Sequence, residues 1–360
     1  MDLSMSAPSR PSVWRTLAPN LAWEAVLLLA VIAVGVAANI AHPGLVWRSV
    51  LWPPLASLGL LATGLALSLR TGTPNLAVSM IASLSGWLYA ERLVDGSSAV
   101  SAGLVGVLGA TAVGLVFALV VGLTTMPAWL VTLVGGFLVQ GLLLVGTDGV
   151  GMPVPGRGPA PNDFRVWVML FGVVSVAGGV AFAVPAVRAA LGANRPSADD
   201  PEVPGRFRLT KLLGALVGLV GSSLLAGLSG VVLTTYTRFV VPQDNGQLPL
   251  VLAAVLLGGV SVFGRRGGVL GVLLGVLLIQ LVRQWEILGA SKYAIVLITV
   301  GVLALVGVVV NWLLELAGRA LERPRAVPAL PPPSWSVNGA QAGWSVPPTS
   351  GVPAPEQPER

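Results

Sequence analysis

The chain has 360 residues, of which 54% are hydrophobic and 10% charged, and its mean hydropathy is +0.84. A soluble globular domain carries about a quarter of its residues as Asp, Glu, Lys or Arg, so this composition excludes such a domain and predicts a polytopic membrane protein. The net charge of +6 lies between apolar runs, so we expect no nucleic-acid partner, and the lack of cysteine with a single histidine argues against a metal site.

Ten apolar runs are long enough to be considered as membrane helices, because about 20 residues cross a hydrocarbon layer of ~30 Å. These runs therefore predict an all-α fold of about ten transmembrane helices, in which the third and eighth are short or broken by glycine. The predicted spans are 21–41, 50–69, 74–93, 98–124, 128–146, 165–187, 212–234, 248–263, 268–288 and 293–316.

Three kinds of segment flank or interrupt this transmembrane domain of residues 21–316: an N-terminal segment 1–20, a polar loop 188–211 and a tail 324–360. With the N-terminus inside, fourteen Lys and Arg residues fall on the inner side and seven on the outer side. The positive-inside rule therefore predicts that both termini are cytoplasmic. The tail holds ten prolines and is predicted to be disordered, either as an incidental extension or as a polyproline docking segment.

The third helix carries polar residues at helical spacing. It opens with Thr73-Pro74-Asn75, and Ser79 and Ser83 follow Asn75 at intervals of four. That spacing predicts one polar face, which in hydrocarbon must meet another helix or a wet cavity. We predict that five residues line a substrate pathway, with hydrogen bonding between helices as the open alternative: Asn75, Ser79, Ser83, Thr132 and Gln140.

Glycines recur every fourth residue at Gly267, Gly271 and Gly275, which places them on one helix face where a neighbouring backbone can approach. We predict a packing role for these three and for Gly258 and Gly259.

The GxSG run at 227–230 has the spacing of an intramembrane serine nucleophile. Such a serine needs a nearby base, and the only histidine of the sequence lies in a distant loop, so helix packing explains the run better.

Nucleotide chemistry is not expected of this chain. It has two lysines, and neither completes the GxxxxGK[ST] pattern of a phosphate-binding loop. Any ATP-driven work would therefore need a separate ATPase chain. Charged residues are also scarce within the spans, which disfavours proton coupling and leaves sodium coupling open.

The segment 246–311 carries a longer pattern: the run AAVLLGG, then regularly spaced glycines, then LGASKY. Upstream, GTPNLAVS at 72–79, PAWLVTLVGGFLVQG at 127–141 and GAN at 192–194 fit the same pattern. Over residues 45–315 the chain thereby resembles the ribose-type permeases of bacterial ABC importers, in the branched-chain amino acid/sugar permease superfamily. The positions that carry the likeness in the C-terminal half are Ala253, Ala254, Val255, Gly258, Gly259, Gly264, Gly267, Gly271, Gly275, Leu288, Gly289, Ser291 and Tyr293.

This resemblance implies a type II-like permease subunit, without enzymatic activity or a cofactor of its own, for a sugar or related small polar solute. It implies alternating access powered by separate ABC ATPase subunits, which bind the ATP. It also implies an extracytoplasmic solute-binding protein as a partner. A second permease, either a copy of this chain or a sister chain, would lie beside it in the membrane lipid. It also implies that Gly192 and Asn194 open the loop that couples to the ATPase.

Two departures from the family pattern matter. Asn75 stands where the family usually has aspartate, and Pro196, Pro201 and Pro204 interrupt the expected coupling helix. A basic-aromatic contact through Arg206, Phe207 and Arg208 would replace that helix, although topology alone also produces a basic inner loop. A secondary transporter or channel, and a degenerate non-transporting partner, stay open as alternatives.

Overall fold

The computed structural model describes residues 13–124, 126–156, 158–195, 209–242, 247–262, 264, 267–289 and 293–322. The tail 324–360, most of the segment 1–20 and the stretch that contains Arg206, Phe207 and Arg208 lie outside the described residues.

Helices account for most of the described chain, and one two-residue strand pair joins two loops. The helices are α1 (Val13–Ala41), α2 (Trp52–Arg70), α3 (Val78–Val94), α4 (Ala99–Leu123), α5 (Ala128–Gly146), α6 (Arg165–Ala183), α7 (Pro185–Ala190), α8 (Leu209–Ala215), α9 (Gly221–Thr237), α10 (Gln247–Leu257), α11 (Gly271–Leu288) and α12 (Tyr293–Glu322). A π-helical turn, Leu216–Val220, joins α8 to α9, and the strands are β1 (Met152–Pro153) and β2 (Phe239–Val240).

Every predicted span contains a helix, and the predicted all-α polytopic class is confirmed. Within the described residues, eight helical stretches are long and apolar enough to cross a membrane. The other two predicted spans hold α3 with 17 residues and α10 with 11 residues. These are the third and eighth spans that the sequence predicted to be short.

Burial separates central from peripheral helices. In α2, 78% of the apolar window is buried, against 17% in α1 and 28% in α5 and α12. Helix α2 packs against α6, α9, α10 and α11, and α3 packs against α4, α5 and α9. The peripheral helices expose leucine, valine and isoleucine, as lipid-facing helices of a multi-pass membrane protein do.

The connecting segments gather at two ends of the bundle. At one end β1 pairs with β2, joining the loop before α6 to the loop after α9. At the other end Arg195, which follows α7, donates a hydrogen bond to the carbonyl oxygen of Arg70 at the end of α2 (2.6 Å). This separation matches the alternation of sides that the sequence predicted for these loops.

Candidate functional site

Helix α3 is preceded by a buried, non-helical segment, residues 71–77. The Thr73 amide donates to the Ser68 carbonyl oxygen (2.9 Å), and the Asn75 amide donates to the Ser68 hydroxyl (3.1 Å). Irregular backbone at membrane depth needs such partners, because no water is available there to satisfy its polar groups. The last turn of α2 supplies them, so the segment is held against the centre of the bundle.

The Asn75 side chain joins this segment to α9. Its Nδ2 donates to the Ser222 hydroxyl (2.7 Å) and the Ser223 hydroxyl (3.3 Å), and its Oδ1 accepts from the Ala77 amide (3.1 Å). The last bond closes an Asx turn, which competes with helix formation. Helix α3 therefore begins only at Val78, and the prediction that Asn75 shares one helical face with Ser79 and Ser83 is wrong.

Two further predicted pathway residues bind neighbouring segments. The Thr132 hydroxyl of α5 accepts from the Leu76 amide (3.1 Å) and lies 3.0 Å from the Pro74 carbonyl oxygen. The Gln140 amide donates to the carbonyl oxygen of Pro242, in the loop before α10. Helix α5 is thus fastened to residues 74–76 near its start and to Pro242 near its end.

Ser79 and Ser83 line a cavity of about 160 Å³ between α3, α9 and β2, called the α3–α9 cavity below. Ser79 is 3% exposed, and its hydroxyl has no hydrogen-bond partner within the described part of the chain. Among the described lining residues the polar groups are hydroxyls and an amide, and none is ionisable. The lining comprises Ser79, Ala82, Ser83, Gly230, Leu233, Thr234, Thr237, Phe239, Val240, Val241 and Gln247.

The two helices that form this cavity touch backbone to backbone. A Cβ on Gly230 of α9 would overlap the Ala82 carbonyl oxygen of α3, and the Ser85 hydroxyl donates to the Gly227 carbonyl oxygen (2.9 Å). Hydroxyls both donate and accept hydrogen bonds, so the cavity suits an uncharged solute that carries hydroxyls of its own.

The predicted coupling residues lie at the opposite end of the bundle from β1 and β2. The Asn194 side chain donates to the Lys211 carbonyl oxygen (2.9 Å), which joins the segment after α7 to α8. Gly192 packs against Arg195, and a Cβ there would lie 2.7 Å from the Arg188 carbonyl oxygen. Burial, and then the nearby Arg188 charge, lower the pKa of Arg195 to about 10, so its guanidinium stays charged at neutral pH.

The predicted packing glycines lie where α10 meets α11. A Cβ on Gly271 would overlap the Gly258 carbonyl oxygen, and a Cβ on Gly275 would overlap that of Ala254. Gly259 has φ +70°, which favours glycine, and Gly267 faces the Arg70 guanidinium. Their role in function stays a prediction.

Three residues, Trp23, Glu24 and Arg70, make hydrogen bonds to the segment between α10 and α11, and the sequence did not predict these contacts. Glu24 Oε1 accepts from the amides of Leu270 (2.7 Å) and Gly271 (2.8 Å), at the start of α11. A carboxyl within an apolar span is costly unless it has such donors. That cost was the available signal, but nothing in the sequence indicates that the donors lie more than 240 residues away.

No group of three or more metal-ligating His, Cys, Asp or Glu side chains occurs in the described residues. No protein-family model and no solved structure matches the chain.

Curated relatives do match it. The ribose import permease protein RbsC of Bacillus subtilis (strain 168) is 29% identical over 279 residues, which cover 70% of this chain and 80% of the relative. The probable ABC transporter permease protein y4mJ of Sinorhizobium fredii is 29% identical over 314 residues, 76% of this chain and 82% of the relative. Ribose import permease RbsC of Escherichia coli (strain K12) is 28% identical over 258 residues, 65% of this chain and 76% of the relative.

The chain is thus similar, over most of its length, to permease proteins of ABC transporters that include ribose import permeases. The resemblance predicted from the sequence motifs is thereby confirmed over most of the chain.

Proposed function

We propose that this chain is the transmembrane permease subunit of an ATP-driven ABC importer for a monosaccharide or a related small polar solute. The observation that supports this most directly is the α3–α9 cavity, whose lining combines apolar side chains with four hydroxyls and one amide, in a chain similar to ribose permeases. Its lining has no ionisable side chain among the described residues, which fits a neutral solute better than an ion.

In this proposal the chain binds no ATP and carries no cofactor. Separate ATPase subunits bind at the end of the bundle that holds Gly192 and Asn194, and that end faces the cytoplasm of a bacterial cell. A solute-binding protein delivers the solute at the opposite end, and a second permease, either a copy or a sister chain, completes the membrane unit. ATP binding and hydrolysis switch the pathway between outward and inward openings.

The test is purification of the tagged chain from its own membrane in mild detergent, followed by reconstitution into vesicles with whatever subunits copurify. Radiolabelled ribose and a panel of other monosaccharides are the probes. We expect an ATPase to copurify and uptake of at least one sugar to require ATP. Uptake by the chain alone, with no ATPase present, would instead identify a secondary transporter or channel.

A further inference from the structure

A continuous set of hydrogen bonds leads from the segment after α7 into the membrane. Arg195 Nη2 donates to the Arg70 carbonyl oxygen (2.6 Å), and Arg70 Nη2 donates to the Gly268 carbonyl oxygen (2.9 Å). Arg70 is 4% exposed, and its guanidinium carbon also lies 5.9 Å from the centre of the Phe182 ring. Arg70 therefore has fixed contacts on both sides, to the inner loop and to the turn that precedes α11.

That turn, described for residues 258–262, 264 and 267–270 and called the α10–α11 turn below, is gripped at both ends by two consecutive residues of α1. The Trp23 indole donates to the Leu257 carbonyl oxygen at the end of α10 (2.6 Å). Glu24 Oε1 accepts from the first amides of α11, at Leu270 and Gly271. Both are helix-end groups that lack intrahelical partners, and the carboxyl also complements the positive end of the α11 dipole.

The glycines in and beside the described part of the turn are closely packed. A Cβ on Gly268 would overlap the Glu24 carboxyl, a Cβ on Gly264 would overlap the Leu69 carbonyl oxygen, and a Cβ on Gly72 would lie 2.9 Å from the Arg195 amide. Closely packed elements of this kind move together or break their contacts, because they cannot deform gradually.

The far end of α10 reaches the α3–α9 cavity. Gln247, its first residue, lines that cavity, whereas its last residue, Leu257, is held by Trp23. Helix α10 is only about 16 Å long at 1.5 Å per residue. Because α10 is short and helical, a displacement of the α10–α11 turn also displaces Gln247 in the wall of the cavity.

We propose that Arg70 and Glu24 are positioning residues that couple the inner loop at Gly192–Arg195 to the cavity through the α10–α11 turn. The inference rests on the proposed function, because the loop can move the turn only if an ATPase moves the loop. Arg70 passes the displacement from the loop to Gly268, and Glu24 makes α1 and the start of α11 follow it. The path ends at Gln247, where the cavity wall shifts.

The test uses the reconstituted complete importer and measures sugar transported per ATP hydrolysed. In Glu24→Ala and Arg70→Gln we expect ATPase binding and ATP hydrolysis to persist while this ratio falls about tenfold, within the usual range of coupling between sites. In Glu24→Gln the ratio should fall less, because the side-chain amide oxygen still accepts hydrogen bonds from the backbone amides of Leu270 and Gly271. Ser57→Ala is the matched control: it removes a buried hydroxyl contact to Ser229 (3.0 Å) away from this path, so the ratio should stay normal.

A second measurement keeps the proposal falsifiable if a variant is made in low amounts. The chain has no cysteine, so Leu248→Cys on α10 and Ser101→Cys on α4, which packs against α3 and α9, place spin labels on the two sides of the cavity. In the parent importer we expect the distance between these labels to change when ATP binds. In Glu24→Ala we expect that distance not to respond to ATP.

Two outcomes separate the inference from the function on which it rests. A normal transport ratio in both Glu24→Ala and Arg70→Gln, within a working parent importer, overturns the inference alone. Absence of any ATPase from the parent complex overturns the proposed function and this coupling path with it.

Discussion

Two serines on α3, Ser79 and Ser85, are similarly buried but differ in their hydrogen-bond partners. Ser85 is fully buried and donates to the Gly227 carbonyl oxygen, whereas the Ser79 hydroxyl lies in the cavity wall without a partner in the described chain. A buried polar group with a partner stabilises the fold, and one without a partner costs free energy. The pair therefore separates a structural hydroxyl from one available to a solute.

We predict opposite effects for the two alanine variants. Ser85→Ala should lower the free energy of unfolding by about 0.5–1.5 kcal/mol, the net contribution of one such hydrogen bond. Ser79→Ala should not lower stability, and should raise it if anything, because a buried hydroxyl without a partner is removed. It should raise the KM for sugar uptake about threefold to tenfold, because the contact with solute is lost. Thermal unfolding in detergent and initial uptake rates measure the two effects. An unaltered KM in Ser79→Ala would remove the cavity from the pathway.

Asn75 shows what sequence alone misses at this scale. Its polar character and its depth in the membrane were predictable, but the direction of its side chain was not. The bonds to Ser222 and Ser223 join residues almost 150 positions apart, and they fix the direction of the Asn75 side chain. The Asx turn that the same side chain makes with the Ala77 amide delays the start of α3 to Val78.

At the scale of elements, the contact between α10 and α11 depends on glycine. A Cβ on Gly271 would overlap the backbone of Gly258 at the end of α10, so the two helices would have to separate. Gly141 in α5 offers a matched control, because a Cβ there would meet nothing within 4 Å.

We expect Gly271→Ala to destabilise the chain by about 1–3 kcal/mol, as overpacking of a close contact does. Gly141→Ala should be neutral or stabilising by up to about 1 kcal/mol, because alanine is the better helix former. Unfolding of both purified variants under the same detergent conditions measures the difference. Equal stabilities would show that α10 and α11 tolerate separation and that Gly271 has no packing role.

The elements themselves were largely predictable. Each span is a long apolar run, and the two short helices are marked by polar or glycine residues, so length and composition were sufficient. The hydrogen bonds from Trp23 and Glu24 to the two ends of the α10–α11 turn were not predictable, because they join α1 to a turn more than 230 residues further along the chain. Local patterns predict helices, whereas tertiary contacts decide what a helix end binds.

For the whole molecule, the basic-aromatic run Arg206, Phe207 and Arg208 carries the predicted contact with the ATPase. Replacing all three with alanine should leave membrane insertion intact and separate ATP hydrolysis from sugar uptake in the reconstituted importer. Arg323→Ala with Arg325→Ala controls for the loss of positive charge on the same predicted side. Undiminished uptake in the triple variant would refute the assignment of those residues.

The orientation of the bundle is the most general prediction, because the proposed ATPase contact requires the end with Asn194 and Arg195 to face the cytoplasm. The cysteine-free chain allows a direct measurement with single exposed cysteines, Ala160→Cys before α6 and Ala190→Cys at the end of α7. A membrane-impermeant thiol reagent added to intact cells should label Ala160→Cys, and it should label Ala190→Cys only after the membrane is permeabilised. The count of fourteen basic residues against seven supports this orientation. Labelling of Ala190→Cys in intact cells would reverse the bundle and place the expected ATPase surface on the wrong side of the membrane.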